Sequence, residues 1–431
     1  MKLSWQMMLP LCLSVYLSHS TITFAAGSPS FSSAEHVAIG NNINLYFDSD
    51  DPGHMATPLH MPNGLNLTYG DIVSLGDFYE LVNQPISQGQ SEAERRSRFL
   101  AAFSSFALNP NAPTETTQIL NVIYNEQKLL DDGIKRGEKP EDIYKSIGHE
   151  NDRQFNCITG GGCSPSTWWL EPGRYLNLAN MDYDHFGEHA WISYSTGHQL
   201  ALEQAVVAHQ TGDLKKLEMA YAMNAFACHF LTDRFSAGHI RTPRVELSEQ
   251  ITPGTVGSLL SSYMHGEENV NGLHVHNLNG DKWIAYGDKS YFSPQTSYHR
   301  NMIIATMQNS ADQIFAAYQQ GTTQVNDNVK DFIPLPDETG NAANLDISPL
   351  FYWDDTTKKL MRRSDMQNLN DRHWTDNWWG WSTLLELQKE RGLSDEAQAT
   401  LVLSSLRDQA LQAGLITNKD FIAYIRKNQQ H

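Results

Sequence analysis

The sequence predicts a mainly α fold, a multi-helix bundle. Long stretches carry apolar residues at the three- and four-residue spacing of a buried helix face. Strand-like alternation is scarce, and the chain contains no internal repeat. At 431 residues it has room for one large domain or two or three smaller ones.

Residues 1–26 read as a secretory signal peptide. Lys2 precedes an apolar run from about Trp5 to Leu17, and small residues follow as far as Ala25, Ala26 and Gly27. The run is shorter than a bilayer requires, so cleavage is expected, with export to the periplasm or beyond. Residues 27–80 scatter His and Asp among Leu-rich pieces. Residues 90–150 read as helical, clearest over 92–103 and 118–130. A Gly-rich loop over 157–166 is bounded by Cys157 and Cys163, which an oxidising compartment would allow to pair. Helical spacing returns from Asp184 to about Arg234. Residues 240–300, rich in Gly, Asn and Ser, read as irregular. A helix is expected over 302–320, then a Pro- and Asp-bearing connector over 326–355. A Trp-rich patch over 373–381 precedes two or three further helices. The expected division is therefore a helical domain over 27–330 and a C-terminal extension over 331–431, Trp-rich and then helical.

The formal charge of −18 argues against nonspecific nucleic-acid binding, because the chain lacks the basic surface that phosphate backbones demand. It also argues against simple electrostatic docking on anionic lipid, but not against a zwitterionic lipid substrate. Cys228 lies in an apolar helical stretch and reads as a small packing residue.

His229, Asp233 and His239 form the most informative stretch. The preceding residues 220–228 are almost all apolar or small and lack Gly and Pro, which marks a buried helix. Positions four apart share a helix face, so His229 and Asp233 can address one ion. His239 follows from the next turn, which Gly238 helps to form. A carboxylate on so apolar a helix is costly to bury unless a cation accompanies it. Nine of the 17 histidines fall between residues 185 and 276. Imidazole and carboxylate together suit zinc; softer metals would call for more thiolate. His189 and His198 read as packing residues with a supporting polar role. His274 and His276 share one face of an extended piece. His54, His60, His149, His209, His299 and His373 read as surface or packing residues, and Arg241 and Arg244 as solvated ones.

The His229, Asp233, His239 spacing resembles the signature of the bacterial zinc-dependent phospholipases C of the phosphatidylcholine-hydrolysing type, to which the P1/S1 nucleases are related. The likeness extends to His36, to Asp77 in Gly76-Asp77-Phe78-Tyr79, to Asp184-His185-Phe186-Gly187, and to His265 with Glu267 or Glu268. These pieces look like a longer gamma-proteobacterial subfamily, in which 80–180 is an insertion and the C-terminal hundred residues an addition. The sequence departs from the family pattern in two places. No Trp lies near the expected cleavage site, where the family's first residue holds a zinc. The acid usually one helical turn after His265 is replaced by Asn269. Glu268 can share a helical face with His265, whereas Glu267 would serve only outside a helix.

The resemblance implies a zinc cluster in a cleft, two or three ions held by His36, Asp77, His185, His229, Asp233, His239, His265 and one of Glu268 and Glu267. A carboxylate such as Asp233 would bridge two of them. Asp77 would bind metal, or orient or deprotonate the attacking water. Hydrolysis on the glycerol side of a phospholipid such as phosphatidylcholine would release diacylglycerol during transient contact with a membrane surface. Phe78, Tyr79, Tyr183 and Phe186 are the candidates to hold lipid and headgroup, with core packing as their alternative. Trp374, Trp378, Trp379 and Trp381 stand under the same choice at a lipid interface. Two other functions share this metal core: a zinc phosphodiesterase or nuclease, and a noncatalytic secreted zinc-binding protein. Serine hydrolase chemistry lacks its Gly-x-Ser-x-Gly elbow.

Overall fold

The computed structural model describes residues 32–326, 328–336 and 346–391. The leader over 1–26 and the helices expected beyond residue 391 lie outside the described residues. Within them the fold is a mainly α, multi-helix assembly of fourteen helices with little strand.

In chain order the helices are α1 (Ser33–Gly40), α2 (Tyr69–Ser74), α3 (Gly76–Tyr79), α4 (Glu92–Ala107), α5 (Ala112–Lys135), α6 (Pro140–Ile158) and α7 (Arg174–Asn180). Then come α8 (Gly187–Thr211), α9 (Leu214–Asp233), α10 (Ala237–Ile240), α11 (Arg244–Gln250), α12 (Gly254–Asn271), α13 (Ser297–Gln320) and α14 (Gly380–Arg391). The centre is the α8–α9 hairpin. Gly212 ends α8 in the left-handed conformation, and Asp213 starts α9 by accepting from the Lys215 amide. The run from Ala220 to Asp233 on α9 is buried on every side. Helix α13 packs on both members of the hairpin, α4 covers α8, and α2 lies against α9. Phe99, Phe103 and Phe106 of α4 cluster with Phe226 of α9, so residues from 92 onward share one core with the hairpin.

The 240–300 stretch is more regular than its composition predicts. A short pair, β1 (Leu59–His60) and β2 (Asn66–Leu67), lies nearer the start of the chain; the 240–300 stretch contains α11, α12 and a hairpin of β3 (Leu273–His276) on β4 (Lys282–Ala285), with Leu335–Pro336 as a third strand. Gly and Ser weaken a helix in isolation, but burying Leu259, Leu260, Tyr263 and Met264 holds α12 together. His274 and His276 do alternate along β3. The start of the expected C-terminal extension is a small antiparallel sheet, Phe351–Asp354, Lys359–Arg363 and Trp374–Thr375, followed by α14. It encloses a second hydrophobic core with α11 and α12, containing Leu247, Val256, Leu350, Phe351 and Leu384. Cys157 and Cys163 are joined by a disulfide. No helix among the described residues is long and apolar enough to cross a membrane.

Candidate metal centre

Four separate elements deliver side chains to one point beneath the C-terminal end of α9. His229 and Asp233 stand one turn apart on that helix and are fully buried. The turn at Tyr183–His185 brings in His185, whose Nδ1 lies 2.6 Å from Asp233 Oδ2 and 3.1 Å from His229 Nε2. Helix α3 brings Asp77, with Oδ1 at 3.6 Å from His229 Nε2. Asp233 Oδ2 completes the group at 3.4 Å from His229 Nε2. The other Asp233 oxygen accepts no hydrogen bond and faces His36 of α1, with Oδ1 and Nε2 3.5 Å apart.

The local fold chooses which imidazole nitrogen faces this group. His229 Nδ1 donates to the Val73 carbonyl at 2.9 Å. His36 Nδ1 sits 3.0 Å from the Thr232 hydroxyl, which itself donates to the His229 carbonyl. His239 Nδ1 donates to the His185 carbonyl at 2.9 Å. Such bonds fix ring orientation and leave Nε2 turned inward.

A second group lies alongside. His239 of α10 and His265 of α12 converge on Asp288, with Nε2–Oδ2 separations of 3.8 and 2.8 Å. Sequence reasoning missed Asp288, which arrives from the loop after β4. Neither expected acid is near. Glu268 Oε1 pairs with Arg241 Nε at 2.7 Å, and Glu267 pairs with Arg363 and Arg391 at 2.6 to 2.9 Å. Glu267 points from α12 toward the C-terminal sheet, and Glu268 toward Arg241, which follows α10. The signal for a replacement was present: Asn269 occupies the position one turn after His265. Its Nδ2 donates to Asp288 Oδ2 at 2.9 Å and its Oδ1 accepts from the Gly238 amide at 2.7 Å. Asn269 thus holds an acid supplied from elsewhere.

Burial, with the neighbouring His229, pushes His36 down to about 3, and burial holds His229 well below its ordinary value. Both rings are neutral, the form that binds metal. Burial would also lower His185, but the charges of Asp182 and Glu80 raise it well above the usual range. His239 is likewise opposed by burial yet reaches about 9 beside Asp288.

The four aromatic candidates for substrate contact are all buried, with Tyr79 also lining a surface cavity beside Glu80 and Arg174. Phe78 is fully buried and stacks on Tyr175. Tyr79 spends its hydroxyl on Thr116, and Tyr183 donates to Ser248 Oγ. Phe186 stacks on His239 at 4.3 Å between ring centres. Among the tryptophans, Trp378 and Trp381 pack into the second core, Trp374 donates to the Pro349 carbonyl, and Trp379 is exposed. Arg241 and Arg244 are not solvated: Arg244 is buried and donates to the Ala179, Asn180 and Ser258 carbonyls. His198 is buried between Asn224 and Gln313, and His299 is buried as well. Cys228 is a buried packing residue touched by Tyr69 and Ser310.

The donor set fits divalent zinc: imidazole nitrogens and carboxylate oxygens gathered within 4.8 Å of one another, and a buried Asp233 oxygen that accepts no hydrogen bond. Three groups could hold ions: His36, Asp77 and His229; Glu80, His185 and His229; and His239, His265 and Asp288, with Asp233 lying between the first two. No family model, no curated protein and no solved structure matches this chain.

Proposed function

We propose that this chain is an exported zinc-dependent phosphodiesterase of the phospholipase C type, cleaving the glycerol-side phosphodiester of phospholipids such as phosphatidylcholine. The observation that carries this reading is Asp233, whose two oxygens face different nitrogen donors: Oδ2 faces His185 and His229, and Oδ1 faces His36. His36, His185, His229 and Asp233 are the residues that would hold the metal there. Zinc bound there would grip phosphate oxygens and lower the pKa of a bound water to near neutrality.

The chain's own residues supply position and proton handling. Ser33 Oγ donates to Asp77 Oδ2 at 3.2 Å, fixing the carboxylate plane while Oδ1 faces the cluster. Asp77 is therefore our candidate to bind metal and to orient or deprotonate water. The fixed imidazoles keep their lone pairs aligned without reorganisation. One observation favours the noncatalytic zinc-binding alternative: His36, His229, Asp233 and His239 are all fully buried, as in a closed structural site.

Metal analysis of the purified chain, with a product assay on phosphatidylcholine, phosphatidylglycerol and single-stranded DNA, separates these readings. Bound zinc with diacylglycerol release is the expected result. Nucleotide release instead would assign a nuclease, and zinc without turnover a binding protein. Asp233→Asn should cut both bound zinc and turnover by about 100-fold or more. Unchanged turnover would remove Asp233 from the site.

A further inference from the structure

His185 differs from the other imidazoles of the cluster. Its outward nitrogen meets acids, not backbone. Nε2 lies 2.6 Å from Glu80 Oε1 and 3.1 Å from Asp182 Oδ1, while Nδ1 faces Asp233. Both acids are nearly fully buried, so each needs a partner there. The third acid of this turn, Asp184, has another task. It accepts from the Ile86 and Ser87 amides, tying the segment that follows Glu80 to the turn that carries His185. Glu80 and His185 are thereby held together by a second, independent link.

We propose that Glu80 is a positioning residue: by accepting the Nε2 proton it fixes the tautomer of His185 and turns Nδ1 toward the Asp233 group, with Asp182 as a weaker second acceptor. This rests on the metal-centre reading and extends it. A carboxylate behind a ligating imidazole raises ring basicity and commonly changes metal affinity by about 10- to 100-fold. Val73 and His185 carbonyls serve that purpose for His229 and His239; a charged acceptor at His185 would make it the strongest nitrogen donor of the set.

The test compares wild type, Glu80→Ala and Glu80→Gln by chelator competition for zinc and by the visible absorption of the cobalt-loaded proteins. The Gln oxygen can still accept the Nε2 proton but carries no charge, so this variant should keep every ion and fall between wild type and Glu80→Ala in affinity. Glu80→Ala should weaken one ion about 10- to 100-fold, leave the others in place and alter the cobalt bands. Zinc-free thermal melts show whether both variants fold. Should Glu80→Ala fold poorly, Glu80→Gln still decides: loss of one ion there would make Glu80 a ligand itself and overturn the positioning role. Equal affinities in all three proteins would also overturn it. If wild type binds no metal, the proposed function falls first and this inference with it.

Discussion

A Cβ at position 76 would stand 2.2 Å from the His229 ring, and one at position 238 would stand 2.5 Å from that of His265. Both glycines let the backbone touch an imidazole of the candidate metal centre. Val73 holds the His229 ring through Nδ1, and the ring is fully buried, so it has little room to retreat. Gly76→Ala should therefore displace His229 and lower bound zinc about tenfold or more, measured by metal analysis of folded protein. Residues of this local kind were legible in the sequence. His229, Asp233 and His239 announce themselves by spacing, since helix geometry alone brings the first two together. Asp288 was not legible, because no spacing rule connects a loop to a helix seventeen or more residues earlier. Only the amide at Asn269, standing where an acid was due, marked the gap. Phe78 and Tyr79 were ambiguous for the opposite reason: aromatic side chains beside a ligand serve packing as readily as binding.

At the level of elements, α12 works on two sides. His265 faces the metal group, and Glu267 faces away to bind Arg363, which is fully buried, and Arg391 of α14. Removing one partner of a buried ion pair leaves the other charge stranded, at a cost of about 3–5 kcal/mol. Glu267→Ala should thus lower the denaturant midpoint clearly while the zinc content of the folded protein stays at the wild-type level. Equal loss of zinc and stability would return Glu267 to the ligand set. The long helices were readable because their apolar period persists over many turns. Helix α12 was not, because Gly and Ser are six of its eighteen residues and tertiary burial selects the helix. The small C-terminal sheet escaped for a related reason: its strands are four or five residues at most, too short for alternation to stand out.

For the whole molecule, acid should be destabilising beyond the loss of metal. His299 lies buried on α13, and its Nδ1 accepts from Trp283 Nε1 at 3.1 Å. Burial and the nearby Arg300 push its pKa from 6.5 down to about 3. The folded state therefore binds fewer protons than the unfolded one between those values. The stability that neutral His299 contributes is complete above pH 6.5 and is lost as pH falls toward 3. Urea melts of metal-free protein from pH 7 to pH 4 should fall less steeply for His299→Gln than for wild type. The loop that supplies Asp288 reaches further than the metal group. Two of its neighbours, the Lys289 and Tyr291 amides, donate to Glu35, which belongs to the same helix as His36. One short stretch of backbone thus grips the protein's first described helix with one hand and a candidate ion with the other. Stripping the ion with a chelator should accelerate deuterium uptake at both amides, coupling cation loading to how firmly the start of the folded chain is fastened down.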